Sequence, residues 1–282
     1  MKIIDLNFLK EIGLFRAYPE LAGKGDSALA GRYFAHKQGD QHRAPCASQP
    51  LLATIIQEWM EDIASQGGLE ISCWLSERPC QCECEHCTAE GQFVLEARAF
   101  LRAWEGAKRT YPDLSIRIFM STVTTDRNYR ILEELPPEIK LERACATGFE
   151  RVLHRPRDLF ANPLFDHYAK EGRWIATYDV PIGANGDVDT PEFKVPHRSG
   201  ARIRDYVRQL AERGWQGAYG MMAWATQGKE TCGYNIAALA EWSWNLEGRS
   251  EREFALAWAL REGYSDPDRI ADWAGLMGEV EF

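Results

Sequence analysis

The sequence predicts an α/β fold: parallel strands joined by helices. Three observations predict it. Five short apolar segments bounded by turn residues read as buried strands, at 69–75, 115–123, 139–146, 173–180 and 216–224. Between them lie longer stretches whose apolar residues recur every three or four positions. From Tyr234 onward only helical patterns remain. Strand–helix alternation of this kind implies parallel strands linked by right-handed crossovers.

In chain order, the first 65 residues offer a helix-like start, a polar loop from Gly23 to Pro50, and no strong strand. A helix follows at 51–64, with Leu52, Ile55, Ile56, Trp59 and Ile63 at helical spacing. After the strand at 69–75 comes a helix at 93–110, marked by Val94, Ala97, Phe100, Leu101 and Trp104. Shorter helical patterns occupy 129–135, 160–171 and 202–214, the last ending in Arg213-Gly214, a basic turn and a glycine stop. Three helical stretches close the chain, at 236–245, 250–263 and 266–277. Ser250 with Glu253 forms a capping box ahead of Phe254, Leu256, Ala257, Trp258 and Leu260. Five strands are too few to close an eight-stranded barrel. The pattern fits either an open sheet or the C-terminal part of a barrel.

At 282 residues, 45% hydrophobic and 27% charged, the chain is long enough for a large core. We expect a single domain over 1–282, with 234–282 as a helical extension packed on it. A net charge of -9 argues against a nucleic-acid partner. The N-terminal run is broken by Asp5, Asn7 and Lys10, so no signal peptide is read there. No apolar run approaches about 18 residues, so no membrane span is expected, and the default location is cytoplasmic. The oligomeric state is left open.

The densest chemical signal is Cys80-Gln-Cys82-Glu-Cys84-Glu-His-Cys87, just after the first expected strand. Thiolates this close can converge on one soft metal ion, and zinc is the expected one. Spacing alone suggests Cys80, Cys82, Cys84 and Cys87 as ligands. Such a site is closed, hence structural. His86 reads as an exposed residue. Neighbouring Cys-x-Cys thiols are poorly placed for disulfides.

Several motifs together resemble a known family. They are Tyr18-Pro-Glu20; the loop into Pro45-Cys46-Ala-Ser-Gln-Pro50; the strand ending Trp74-Leu-Ser-Glu77; Cys82-x-Cys84-x-x-Cys87; the strand ending Tyr178-Asp179; Gly214-Trp-Gln-Gly-Ala-Tyr-Gly220; and a Trp-rich helix ending Trp244-Asn245. This combination resembles a domain-of-unknown-function family similar to α-glucuronidase-type glycoside hydrolases, over residues from about 18 to about 264. The resemblance implies a (β/α)8 TIM-like barrel, of which this chain supplies the C-terminal five or so strands and a helical cap. It also implies a structural metal site of Cys46, Cys82, Cys84 and Cys87, with Cys80 as an additional thiol. A ligand from a distant loop would relieve crowding among the Cys-x-Cys steps, which favours including Cys46.

Glycoside hydrolysis needs two carboxylates, and in a barrel they sit where strands end. Glu77 as acid and Asp179 as base or nucleophile are the expected pair, ahead of Asp126, Glu150 and Glu230. Trp74, Tyr178, Tyr219 and Trp224 fall at expected strand ends, where flat rings can stack on a pyranose. Arg127, Arg198 and His197 lie in loops and suit a uronate carboxylate. Trp242, Trp244, Trp258 and Trp273 sit in helical patterns and are expected in the core. No phosphate-binding glycine pattern and no Gly-x-Ser-x-Gly is present. The leading expectation is a glycoside-hydrolase-like protein acting on a polysaccharide or a uronic-acid-containing oligosaccharide. A non-catalytic carbohydrate-binding protein, or a metal-stabilised scaffold on a truncated barrel, are the alternatives.

Overall fold

The structure is a computed structural model that describes residues 2–10, 12–28, 43–76, 81–120, 130–143, 163–177, 200–218 and 228–280. Its contacts group into two compact units, Met1–Arg143 and Ala144–Phe282.

In the first unit four parallel strands run side by side in sequence order: β1 (Lys2–Asp5), β2 (Glu70–Trp74), β3 (Ser115–Met120) and β4 (Lys140–Arg143). β1 is a correction to the sequence reading, which found no strand before residue 65. Four residues, Lys-Ile-Ile-Asp, carry too little periodicity to stand out, yet they pair in full with β2, from Lys2↔Ile71 to Asp5↔Trp74. The one-turn helix α1 (Leu14–Ala17) follows β1.

Crossovers between strands are made by α2 (Pro50–Ser65), by α3 (Glu85–Glu90) with α4 (Gln92–Ala107), and by α5 (Ile131–Glu134). Pro50 starts α2 at a position where its missing N–H costs nothing. Leu52, Ile55, Ile56, Met60 and Ala64 are its buried stripe, and the expected Trp59 and Ile63 are half-buried beside it. α4 is buried nearly all round. It lies so close to α2 that a Cβ on Gly106 would stand 2.1 Å from Gln57 Oε1.

The parallel strands give the sheet two unlike faces. Ile71, Cys73, Ile116, Ile118 and Leu141 point one way and are fully buried, toward the helices. Glu70, Ser72, Trp74, Arg117, Phe119, Lys140 and Glu142 point the other way.

In the second unit β5 (Ile175–Thr177) and β6 (Gly217–Ala218) pair in parallel. They match the expected strands at 173–180 and 216–224 over the described part. Five helices belong here: α6 (Pro163–Lys170), α7 (Gly200–Glu212), α8 (Gly228–Trp244), α9 (Glu251–Arg261) and α10 (Pro267–Val280). The stop after α7 is as the sequence implied. Gly214 has φ +78, and Trp215 N–H donates back to Leu210 O at 3.0 Å. The capping box at Ser250 and Glu253 is formed. Tyr234, Trp242, Phe254 and Trp258 build an aromatic core, with Tyr234–Trp258 and Trp242–Phe254 centroids at 5.3 and 5.1 Å. Among the described residues no helix is long and apolar enough to cross a membrane.

Candidate functional site

Three loops meet at the cysteine cluster. The first carries Cys46, whose N–H donates to Leu21 O at 2.8 Å, next to the Ala22–Pro45 bridge. The second is the segment 81–83, held in extended pairing by Gln81 N–H to Ser27 O at 2.7 Å and Glu83 N–H to Lys24 O at 2.9 Å. Glu83 caps this pairing by accepting from Ser27 N–H and Oγ–H, at 3.1 and 2.6 Å. Gly25 is required where the chain turns between Lys24 and Ser27: its φ is +80, and a Cβ there would stand 1.8 Å from Glu83 Oε2. The third element is α3, whose N-cap is Cys84 and whose first turn holds Cys87.

The result is that the sulfurs of Cys46, Cys82, Cys84 and Cys87 lie within 4.8 Å of one another, three of them buried. Cys46 Sγ and Cys84 Sγ are 3.7 Å apart. A tetrahedral zinc–thiolate site with bonds of about 2.3 Å has sulfur–sulfur edges of about 3.8 Å. A disulfide needs about 2.05 Å. The spacing therefore fits shared coordination of one ion. Cys80 lies outside the described residues, and His86 is exposed, apart from the cluster.

The surroundings favour thiolate at Cys84. Lys24 N–H donates to Cys82 Sγ at 3.3 Å and Cys87 N–H to Cys84 Sγ at 3.5 Å. Ser48 Oγ lies 3.3 Å from Cys46 Sγ and 3.6 Å from Cys84 Sγ. Burial pushes the Cys84 thiol up, but bonds from Cys87 N–H, the Ser48 hydroxyl and the neighbouring thiols prevail and draw it down to about 6. Burial pushes Cys82 and Cys87 the other way, upward. Charge held on one sulfur opposes charge on the next. A divalent cation at the centre is what lets all four ionise together.

A buried polar chain, not foreseen from the sequence, ties this cluster to the end of β2. Cys82 N–H donates to Gln92 Oε1 at 3.0 Å. Gln92 Nε2 donates to Pro45 O at 2.8 Å and to Glu96 Oε1 at 2.7 Å. Glu96 in turn accepts from Ser76 Oγ at 2.5 Å and Ser76 N–H at 2.8 Å. Gln92, Glu96 and Ser76 are all buried. Desolvation pushes the Glu96 carboxyl up to about 7, although the bonds from Gln92 and Ser76 pull against it. Their signal in the sequence is a polar pair four residues apart in the otherwise apolar start of the helix, Gln92-Phe-Val-Leu-Glu96-Ala.

On the polar sheet face, Arg117 joins two carboxylates: Glu142 at 3.0 Å and Glu70 at 2.5 Å, with Lys140 also on Glu70. Glu142 is fully buried and takes a further bond, 2.5 Å, from Ser72 Oγ. Burial alone would raise the Glu70 carboxyl, but Arg117 and Lys140 outweigh it and hold the group below its ordinary value. Trp74 lies at the C-terminal end of this face. It stacks on Phe119 with centroids 4.2 Å apart, and its Nε1–H donates to Ser72 Oγ at 3.0 Å.

Of the expected catalytic pair and binding residues, Trp74 alone falls in a described segment; the lesser candidate Glu230, expected on a loop, falls within α8. Glu77, Asp179, Tyr178, Tyr219, Trp224, Arg127 and His197 lie outside the described residues, as do Asp126, Glu150 and Arg198. Of the helical tryptophans, Trp242 and Trp258 are core residues. Trp244 is not, at 92% exposed, which corrects the sequence reading. It is the last residue of α8, two positions after the buried Trp242 and so about 200° round the helix from it.

No protein-family model and no curated relative matches the chain. Among the solved structures that share its fold are the following two. A GH138 enzyme targeting pectin rhamnogalacturonan II is similar over 83% of this chain and 28% of its own, with a TM-score of 0.57 and 11% identity. α-L-Fucosidase isoenzyme 2 from Paenibacillus thiaminolyticus is similar over 85% of this chain and 36% of its own, with a TM-score of 0.54 and 17% identity. The likeness is one of fold: an α/β chain forming part of a TIM-like barrel. The chain spans roughly a third of the length of these proteins.

Proposed function

We propose that the chain is the barrel portion of a glycoside hydrolase acting on polysaccharide or uronic-acid-containing oligosaccharide. Glu77 serves as general acid and Asp179 as base or nucleophile. The fold likeness to the GH138 enzyme and the fucosidase carries this reading. In such barrels chemistry is done where strands end. In sequence, Glu77 follows Ser76 at the end of β2, and Asp179 comes two residues after β5. Ser76 is fixed by both its N–H and its hydroxyl to the buried Glu96, a support suited to holding a neighbouring side chain in register. Trp74, Tyr178, Tyr219 and Trp224 supply rings for the sugar face, and Arg127 and His197 supply charge for a uronate. The resemblance to α-glucuronidase-type relatives makes a uronic acid the first substrate to try.

Zinc is the ion proposed for Cys46, Cys82, Cys84 and Cys87. Soft sulfur donors at tetrahedral spacing suit it. A four-sulfur site offers no place for water or substrate, so zinc here supplies rigidity and the cysteines hold the loop ahead of α4.

The test is activity on aryl glycosides and pectic polysaccharides before and after Glu77→Gln and Asp179→Asn. Removing a general acid or base should lower kcat by about 10²–10⁴. Full activity in both variants, with activity present in the parent, would overturn the assignment of the pair.

A further inference from the structure

We propose that Trp244 and its neighbours form a second carbohydrate-binding site, a surface platform for a neutral glycan chain. Its indole is 92% exposed, whereas Trp242, two residues earlier on the same helix, is 1% exposed. A lone exposed ring needs no explanation. This one opens onto a shallow groove also lined by Glu241, Asn245, Gly248, Arg249 and Glu253. Flat apolar surface beside hydrogen-bonding groups is the pairing that a pyranose requires: its C–H face stacks on the ring, and its equatorial hydroxyls reach sideways.

The polar groups are held in place. Arg249 Nη1 donates to both carboxylate oxygens of Glu241, at 2.9 and 3.0 Å, which anchors one end of the guanidinium beside the groove. Glu253 is committed to the capping box, accepting from Ser250 N–H and Oγ–H at 2.8 Å each. Gly248 donates its N–H to Asn245 O at 3.1 Å. A Cβ at 248 would stand 3.1 Å from Asn245 Nδ2, so glycine keeps room for that amide. Asn245 and Arg249 then donate to hydroxyls and Glu241 accepts from them.

The charge of the lining selects the occupant. Glu241 and Glu253 against Arg249 leave one net negative charge, on a chain of net charge -9. A polyuronate would be repelled, and a neutral chain would not. The site is independent of the catalytic reading, because its test does not require turnover.

The experiment is native affinity electrophoresis of the full chain in gels containing mixed-linkage β-glucan, galactomannan, arabinan or polygalacturonate. The parent should be retarded by at least one neutral polymer and not by polygalacturonate. Trp244→Ala should lose about tenfold or more in affinity, a ring-stacking contribution of about 1.4 kcal/mol, and Trp244→Phe should keep part of it. Since the ring is exposed, circular dichroism of the variants should match the parent. Hydrolysis of any small aryl glycoside should be unchanged by Trp244→Ala, which separates this site from the strand ends. The proposal is overturned if no neutral polymer retards the parent, if only polygalacturonate does, or if Trp244→Ala migrates as the parent does. A dimeric parent that becomes monomeric on Trp244→Ala would also overturn it, by assigning the patch to self-association.

Discussion

Replacing Glu96 with glutamine turns the buried chain between the cysteine cluster and β2 into a measurable quantity. The carboxyl is fully buried and pushed up to about 7 from an ordinary value of 4.5. A raised acid binds its proton more tightly in the folded state. The stability it lends is therefore fully present below about 4.5 and is lost as pH rises through about 7. At about 1.4 kcal/mol per unit, the shift is worth on the order of 3 kcal/mol. Geometry supports the neutral form: a proton on Oε1 can be donated to Ser76 Oγ, while Oε2 still accepts Ser76 N–H and Oε1 still accepts Gln92 Nε2. Glutamine cannot do the same. An amide nitrogen at Oε2 faces the Ser76 N–H, and at Oε1 it faces the Gln92 amide, so one donor is left against another at about 1–3 kcal/mol. Glu96→Gln should then be less stable than the parent by about 1–3 kcal/mol near pH 5. The gap should shrink or reverse near pH 8, a swing of about 3 kcal/mol. Urea unfolding of both proteins at matched metal content from pH 5 to 8 measures it, since other titrating groups cancel in the difference. A gap that stays constant with pH would refute the reasoning.

Three further outcomes are expected. Cys46→Ser and Cys84→Ser should each abolish stoichiometric zinc in native mass spectrometry, whereas Cys73→Ser, buried within β2 and outside the four-sulfur cluster, should keep it. Gly25→Ala should cost about 1–3 kcal/mol, because the residue sits at φ +80 and its Cβ displaces Glu83 from Ser27; thermal denaturation would show it. Arg117→Met should cost about 3–5 kcal/mol by stranding the buried Glu142, and adding Glu142→Leu should recover most of that loss; recovery in the double variant is the reading that separates stranded charge from lost packing.

The sequence carried the alternation of strand and helix because each element has its own local cause. The apolar runs, the capping box at Ser250 and the glycine at 214 act within a few residues. Cys46 was reachable through the family resemblance, not through spacing, since 36 residues separate it from Cys82. β1 was missed because four residues cannot display a period. Trp244 was misassigned because the cluster of tryptophans was taken together: two positions from Trp242, it falls on the opposite face of the helix. Gln92 and Glu96 were visible as polar residues in an apolar helix, but their partners, Pro45, Ser76 and Cys82, are brought together only by the fold.

The position of β2 follows from three constraints of different physical kind. Along its length, Glu70 and Ser72 are tied through Arg117 and Glu142 to β3 and β4, a network whose buried carboxylate is costly to strand. At its end, Trp74 is stacked on Phe119. Just beyond, Ser76 is held from the helix side by Glu96, and through Gln92 by the loop that also carries Cys82. The charge network and the stacked ring lie on one sheet face. The Glu96 chain reaches Ser76 from α4, just past the strand's end. Small displacements of β2 are thereby opposed by directional bonds as well as by packing. That is the arrangement expected where a strand must deliver its next residue to a fixed place. It also separates the roles of the two polar systems: zinc removal should loosen the Cys82 loop and Ser76 first, while the Arg117 network, which shares no bond with the cysteines, should stay protected in hydrogen exchange.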